Sequence, residues 1–440
     1  MTALGDLWAA LPAAAQDALL LAALLSPSPV LAALLLRGLS VGGLTGALLW
    51  RFRRTNLLFA ALMALSVGLG AAVIAQERAL RQGAARAADA FDVIVAAPGD
   101  RLRLMLAAVY LDPADAPLLR GEALARLQAD SQIDLLAPLA FGDSHAGAPV
   151  VGSTAAFVAH LSGPLAEGRV FAAEDEAVAG ARAPVAVGYS FTPAHGHGPL
   201  AETDAHDGVS LRVVGRMAPT GTPWDKAIVT PVEAVWNTHG LANGHAPGVD
   251  RIGPPFDPDY FPGTPAFVIH AQELWRAYAV QARHDRGDMM AFFPGAELAR
   301  LNALVGDVRQ AMSLMATLTQ ALVAAGVMAG LAALARLFGR RFALLRALGA
   351  PRRFVLAAMW SYAVALVGAG CLAGLGVGWL SARLLSALVE ARTDLALAPA
   401  LGWPELHLVA GFFSLTCLLA LLPGLAAYRR DVPSDLRETA

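Results

Sequence analysis

The sequence predicts an α-helical membrane protein with four transmembrane helices and a large mixed α/β extracytoplasmic domain inserted between helices 1 and 2. Three observations carry that prediction. Of 440 residues, 56% are apolar and 15% charged, and the mean hydropathy is +0.53, too apolar for a chain that must keep a water-facing surface. Uncharged runs long enough for a hydrocarbon core of about 30 Å recur at 56–75, 312–335, 354–382 and 406–428. Between the first two runs, residues 77–307 hold 27 acidic against 17 basic residues, a net −10, whereas the remainder holds 16 basic and 8 acidic, a net +8.

Residues 1–55 read as a cytoplasmic or interfacial segment. Ala18 to Leu36 is uncharged but contains Pro27 and Pro29, which interrupt helical hydrogen bonding. It therefore reads either as a fifth span or as an element in the membrane plane. Ser40 to Trp50 reads as a short helix at the membrane surface. The first 16 residues lack the basic stretch of a secretory signal, so the chain's own helices are the expected anchor.

Asn56 to Ala75 is the first span. Arg51, Arg53 and Arg54 precede it and Glu77 follows, which puts its N-terminal end in the cytoplasm. Within 77–307, strands are expected at Phe91–Ala97, Ile133–Leu136, Pro184–Tyr189, Val209–Met217, Ala227–Val229 and Ala266–Ile269. Helices are expected at Arg78–Ala90, Leu102–Tyr110, Pro231–His239 and Ala271–Ala282. Gly244 to Pro265 is too rich in Gly and Pro for either element and reads as a loop that contacts a partner or wraps the domain.

Met312 to Ala335 is the second span, followed by the cytoplasmic loop 336–353 with Arg336, Arg340, Arg341, Arg346, Arg352 and Arg353 and no acidic residue. Phe354 to Ala382 is the third span, longer than a bilayer needs, so it tilts or projects beyond the surface. An outer loop, 383–405, leads to the fourth span, 406–428, between Trp403 and Tyr428, and a cytoplasmic tail, 429–440, begins with Arg429 and Arg430.

Several function classes are disfavoured. No basic surface for nucleic acid is evident in the composition. Lys226, the one lysine, lies between Asp225 and Ala227 rather than in Gly-Lys-Ser/Thr, so ATP hydrolysis by this chain is not expected. Cys371 and Cys417 both fall in apolar runs, which leaves no disulfide or cysteine-zinc framework. Gly38 to Gly42 spells G-x-S-x-G without the strand that a nucleophile elbow requires, and no catalytic residues are assigned.

The loop sequence GRRFALLRALGAPRRF, Gly339 to Phe354, places Phe342, Leu345 and Leu348 at i, i+3, i+6, with Gly349 and Pro351 as stops. Composition alone makes it a positive-inside loop. Its residues, however, resemble the cytoplasmic loop of FtsX/MacB-type permeases of ABC transporters, the type VII class, with the pattern E-[IF]-A-L-L-R-A-L-G-A-[ST]-R-R. That family also has one span, a large extracytoplasmic domain and three further spans. Val213 to Val235 (VVGRMAPTGTPWDKAIVTPVEAV) resembles a MacB-type segment, read physically as strand, tight turn at Thr220–Pro223, strand and helix. Phe91 to Asp112 resembles a subset linked to metal-ion handling, particularly zinc, with Ala96 and Arg103 replacing that subset's Gly and Gln.

The resemblance implies a permease subunit in the bacterial inner membrane with no cofactor of its own. A separate cytoplasmic ABC ATPase binds ATP and Mg and docks on Arg340, Arg341, Phe342, Ala343, Leu344, Leu345, Arg346, Ala347, Leu348 and Gly349. Arg341 stands where the family has an acidic residue, so an acidic contact is not carried over. Two permease chains, expected to be identical, pair in the lipid. ATP-driven closure moves the helices and, through them, the outer domain, by mechanotransmission rather than passage through a wide pore. The purpose is metal-linked or export transport, or alternatively control of a periplasmic partner without transport.

Gly370, Gly374 and Gly378 lie at four-residue spacing on one helix face, where small residues allow close helix approach, within the chain or across a dimer. Nine of ten histidines fall between His145 and His284. In HGHGPLAETDAHD, His195, His197, Asp204, His206 and Asp207 offer imidazoles and carboxylates suited to a transient zinc or other divalent site. A solvated loop is the alternative.

Overall fold

The computed structural model describes residues 3–112, 115–196, 208–304, 306–337, 344–393 and 395–428. The chain divides into a membrane unit, Met1–Ala79, Asp307–Ala387 and Ala398–Ala440, and an outer unit, Leu80–Gly306 with Leu388–Leu397.

The membrane unit begins with α1 (Ala3–Ala9), α2 (Ala13–Leu25), α3 (Pro27–Leu36) and α4 (Gly42–Arg51). Ser26, between α2 and α3, is itself helical and donates its N–H to the Ala22 carbonyl. Pro27 and Pro29 sit in the first turn of α3, where backbone N–H groups have few intrahelical acceptors, so the prolines start a helix rather than break one. Ala13–Leu36 is thereby long and apolar enough to cross a membrane, which adds a candidate to the spans read from sequence.

Helix α5 (Arg53–Ala88) has 36 residues and no break, about 54 Å at 1.5 Å per residue. The first span and the expected helix Arg78–Ala90 are one element, since Gln76, Glu77 and Arg78 are all good helix formers. Its residues up to Ala79 belong to the membrane unit and the rest to the outer unit.

The outer unit is a mixed sheet covered by helices on both faces. Its strands are β1 (Val93–Ala96), β2 (Leu135–His145), β3 (Ala148–Ser153), β4 (Glu167–Gly168), β5 (Glu176–Ala179), β6 (Ser190–Phe191), β7 (Ala194–His195), β8 (Leu211–Arg216), β9 (Ile228–Pro231), β10 (Ala266–His270) and β11 (Met290–Phe292). Their order is β11-β1-β10-β2-β3-β9-β5-β8-β4, with β6 on β8 and β7 on β2. The β3–β9 and β5–β8 pairs are parallel. The helices are α6 (Arg101–Tyr110), α7 (Gly121–Gln128), α8 (Ala155–Ser162), α9 (Val232–Thr238), α10 (Leu274–His284) and α11 (Pro294–Leu304).

Alternation along β1 explains the unbroken apolar run that announced it. Ile94 and Ala96 pack with Leu104, Met105, Phe157 and Leu298, whereas Val93 and Val95 pack with Leu124, Leu127, Phe261 and Val280. Neighbouring side chains point to opposite faces, and both faces are buried, so neither needs polar residues. Phe256 and Phe261 of the Gly/Pro-rich loop are buried beside Trp236, with ring centroids 5.5 and 5.1 Å away. That loop wraps the domain.

The strand expected at Pro184–Tyr189 does not form. Ala183 and Val185 are buried there, which accounts for the apolar signal. The segment's start is held by a side chain, since the Arg216 guanidinium donates to the Val185 carbonyl as it does to those of Gly180 (3.0 Å), Ala181 (3.3 Å) and Ala183 (3.4 Å) just before it. Its end meets β8 at Val213, which accepts the Gly188 N–H (2.7 Å) and donates to the Tyr189 carbonyl (2.9 Å). Conversely, β5 is fully buried and was missed.

Returning to the membrane unit, α12 (Gly306–Leu337) covers the run read as the second span, α13 (Arg352–Thr393) the third, and α14 (Trp403–Leu419) with α15 (Leu421–Tyr428) the fourth. Arg353–Ala391 and Trp403–Pro423 are long and apolar enough to cross a membrane, whereas among the described residues the apolar stretch of α12 is the shorter Thr317–Gly330. Helix α13 runs 42 residues without a break, so the long third run continues beyond the length a bilayer requires. The sequence predicts an outer loop over 383–405, but the helix continues to Thr393, and beyond it Leu395 and Leu397 are buried in the core of the outer unit.

Candidate functional site

The segment between α12 and α13 was the strongest sequence signal. Arg340, Arg341, Phe342 and Ala343 lie outside the described residues. Leu344, Leu345, Arg346 and Ala347 form a helical turn. It closes with hydrogen bonds from Leu348 N–H to Leu344 O (3.0 Å), Gly349 N–H to Arg346 O (3.1 Å) and Ala350 N–H to Leu345 O (3.0 Å). Gly349 has φ +104°, a backbone state that L side chains rarely adopt and glycine reaches freely. Pro351 cannot continue the turn. The turn is amphipathic in an informative way. Leu345 packs against the helical core, while Leu344 and Leu348 are 49% and 85% exposed. Two leucines are therefore turned out on an arginine-rich loop.

The histidine segment has a different outcome. Of the residues expected to bind metal, His197, Asp204, His206 and Asp207 lie outside the described residues. His195 is described, and the fold brings it to partners that sequence reading did not pick. Asp143 on β2 stands directly opposite His195 on β7 in antiparallel register. His239 follows the last residue of α9. His195 Nδ1 lies 3.4 Å from Asp143 Oδ1, and His239 Nε2 lies 3.4 Å from Asp143 Oδ2. The two rings are 5.0 Å apart between centroids.

Local structure accounts for this convergence. Ala140 pairs with Gly152 but Asp143 pairs with Val150, so β2 carries one extra residue, a bulge that re-aims the side chains following it. Gly142 lies in the bulge, and its carbonyl accepts the Gly196 N–H at 2.8 Å, which ties the end of β7 to it. Helix α9 approaches β3 over Gly152, where a Cβ would come within 2.8 Å of Val235 Cγ2 and 3.0 Å of Val232 Cα. Asp143 is buried, its side chain 2% exposed, while His195 and His239 keep 45% and 29%. Hydrogen bonding to Asp143 is the main cause that holds the His239 imidazole above its ordinary pKa, against the opposing effect of burial. No sequence spacing links positions 143, 195 and 239; only the bulge, the β2–β7 pairing and the end of α9 do.

Against known proteins, residues 313–431 match the family described as FtsX-like permease C-terminal. That stretch is similar to the C-terminal region of FtsX-like permeases. No curated protein matches the sequence. Among solved structures, the periplasmic region of MacB from Actinobacillus actinomycetemcomitans is 12% identical. That match covers 49% of this chain and 95% of the other, with a TM-score of 0.30. The extracellular domain of the noncanonic ABC-type transporter YknZ from Gram-positive bacteria is 10% identical, with coverage of 46% and 98% and a TM-score of 0.27.

The matched region packs against α5 through the glycines singled out from sequence. A Cβ at Gly370, Gly374 or Gly378 would come within 2.8 Å of Met63, Val67 or Ala71, respectively. The α5 partner contributes a glycine of its own: at Gly68 a Cβ would lie 3.0 Å from the Gly374 carbonyl. The face that sequence left open between an intrachain and a dimer contact is thus occupied within the chain. Polar groups pin the same bundle. Asn56 bonds the Tyr362 hydroxyl, Trp360 Nε1 donates to the Cys417 carbonyl at 3.0 Å, and fully buried Glu405 accepts from Arg78 at 2.9 Å and from the Gly402 N–H at 2.8 Å.

Proposed function

We propose that this chain is the membrane subunit of an ABC transporter in a bacterial inner membrane, and that it couples a separate cytoplasmic ATPase to movement of its outer domain. The observation that carries this reading is the turn at 344–350 inside an FtsX-like permease region, with Leu344 and Leu348 exposed on a basic loop and Leu345 anchored in the helical core. An anchored turn transmits force where a flexible loop absorbs it. Helices α5 and α13 supply the lever, because each runs unbroken from residues of the membrane unit into residues of the outer unit. ATP and Mg act on the partner ATPase, and the work reaches the outer domain as helix motion. A second copy of the chain completes the assembly, with a contact face other than the glycine stripe that α5 already fills.

Co-purification tests the coupling. Leu348→Asp should abolish recovery of the ATPase with the tagged permease from gently solubilised membranes, while leaving the amount of folded permease unchanged, because an 85% exposed side chain has little core to lose. Unchanged ATPase recovery would sink the docking assignment.

A further inference from the structure

We infer that Asp143, His195 and His239 form a binding site for a zinc-class divalent transition metal on the outer domain. Both Asp–His separations are 3.4 Å, one imidazole to each carboxylate oxygen. Each is close to the tetrahedral edge of about 3.3–3.4 Å that follows from metal–ligand bonds of about 2.0–2.1 Å, and the three donor atoms taken together, one from each residue, stay within 4.8 Å of one another. A modest inward movement of two side chains would seat an ion among them.

The chemistry of the donor set selects the ion. Two imidazoles and one carboxylate suit zinc and its neighbours, whereas calcium and magnesium prefer all-oxygen shells. Three protein donors leave a tetrahedral ion one open position. With His195 and His239 partly exposed and Asp143 buried beneath them, that position faces solvent. An ion held this way can be loaded and handed on, unlike one locked into a closed structural site. The site is also built rather than incidental. The bulge at Gly142, the Gly196-to-Gly142 hydrogen bond and the close seating of α9 on Gly152 each fix one ligand.

The test uses the full-length chain, purified without a polyhistidine tag in detergent, stripped of metal and titrated with zinc chloride by calorimetry and with cobalt(II) by visible absorbance. The wild type should bind zinc and give the intense absorption of tetrahedral cobalt. His195→Ala with His239→Ala should weaken zinc binding by more than the roughly 10–100-fold that loss of an outer-shell partner costs, and should remove the cobalt band. Should the double variant unfold, His239→Gln alone, at a partly exposed helix end, gives the same readout. Absence of zinc binding by the wild type, or wild-type affinity in a folded variant, would overturn the site. Neither nucleotide nor ATPase enters the assay, so its outcome is independent of the coupling reading.

Discussion

Asp225 shows how much one side chain can hold. Its carboxylate, 2% exposed, accepts hydrogen bonds from Thr220 N–H and Thr220 Oγ1, both at 2.8 Å, and from Gly221 N–H at 2.9 Å. Gly221 at φ +72° completes the tight turn, and its carbonyl accepts the Ala396 N–H at 3.3 Å. Sequence reading placed a turn at Thr220–Pro223, and the turn is present. It had no means of seeing that Asp225 is the group that closes the turn, because a carboxylate five residues away is as often a solvated charge. Asp225→Ala strands three donors at once and should destabilise the outer domain by about 2–4 kcal/mol, measurable as a lower thermal midpoint with the membrane helices intact.

Helices and strands were legible where one local period ruled. The apolar runs gave the long helices, and the β1, β8 and β10 segments gave strands. The miss at Pro184–Tyr189 has a specific cause: burial does not make a strand unless a neighbouring strand takes its backbone groups in succession, and there β8 meets Gly188 and Tyr189 through Val213 while the Arg216 side chain takes the Val185 carbonyl. The glycine spacing on α13 was readable as close packing, but its partner was not, since any helix with small residues satisfies it. The contact with α5 yields a sharp contrast. Gly374→Leu must displace Val67 and should destabilise the helical bundle by about 1–3 kcal/mol or prevent its assembly. Gly376→Leu, two residues away with nothing within 4 Å of its Cβ position, should leave the thermal midpoint in detergent near that of the wild type. Equal effects would sink the packing assignment.

For the protein as a whole, charge asymmetry gives the orientation. Arginines crowd the loop before α13 and the start of α5, while the domain between α5 and α12 is acidic, a distribution that predicts the basic segments to be cytoplasmic. Cysteine labelling checks this, because Cys371 and Cys417 are buried and give little background. Gly287→Cys, in open space on the outer unit, should react with a membrane-impermeant maleimide in spheroplasts. Leu348→Cys should react only after permeabilisation. The reverse pattern would invert the topology and with it the docking role of Leu348.

By itself the sequence determined what depends on neighbours along the chain: the long apolar runs, the uneven spread of charge between the segments that flank them, and the short amphipathic turn with its Gly349 and Pro351 stops. The tertiary structure decided what depends on distant residues meeting. It joined the first span to the following helix as one rod, assigned the α13 glycines to α5, buried Leu395 and Leu397 in a domain begun some 300 residues earlier, and set His195 beside Asp143 and His239. Those positions share no period, so only a bulge, a strand pairing and a helix end could bring their donor atoms within 4.8 Å.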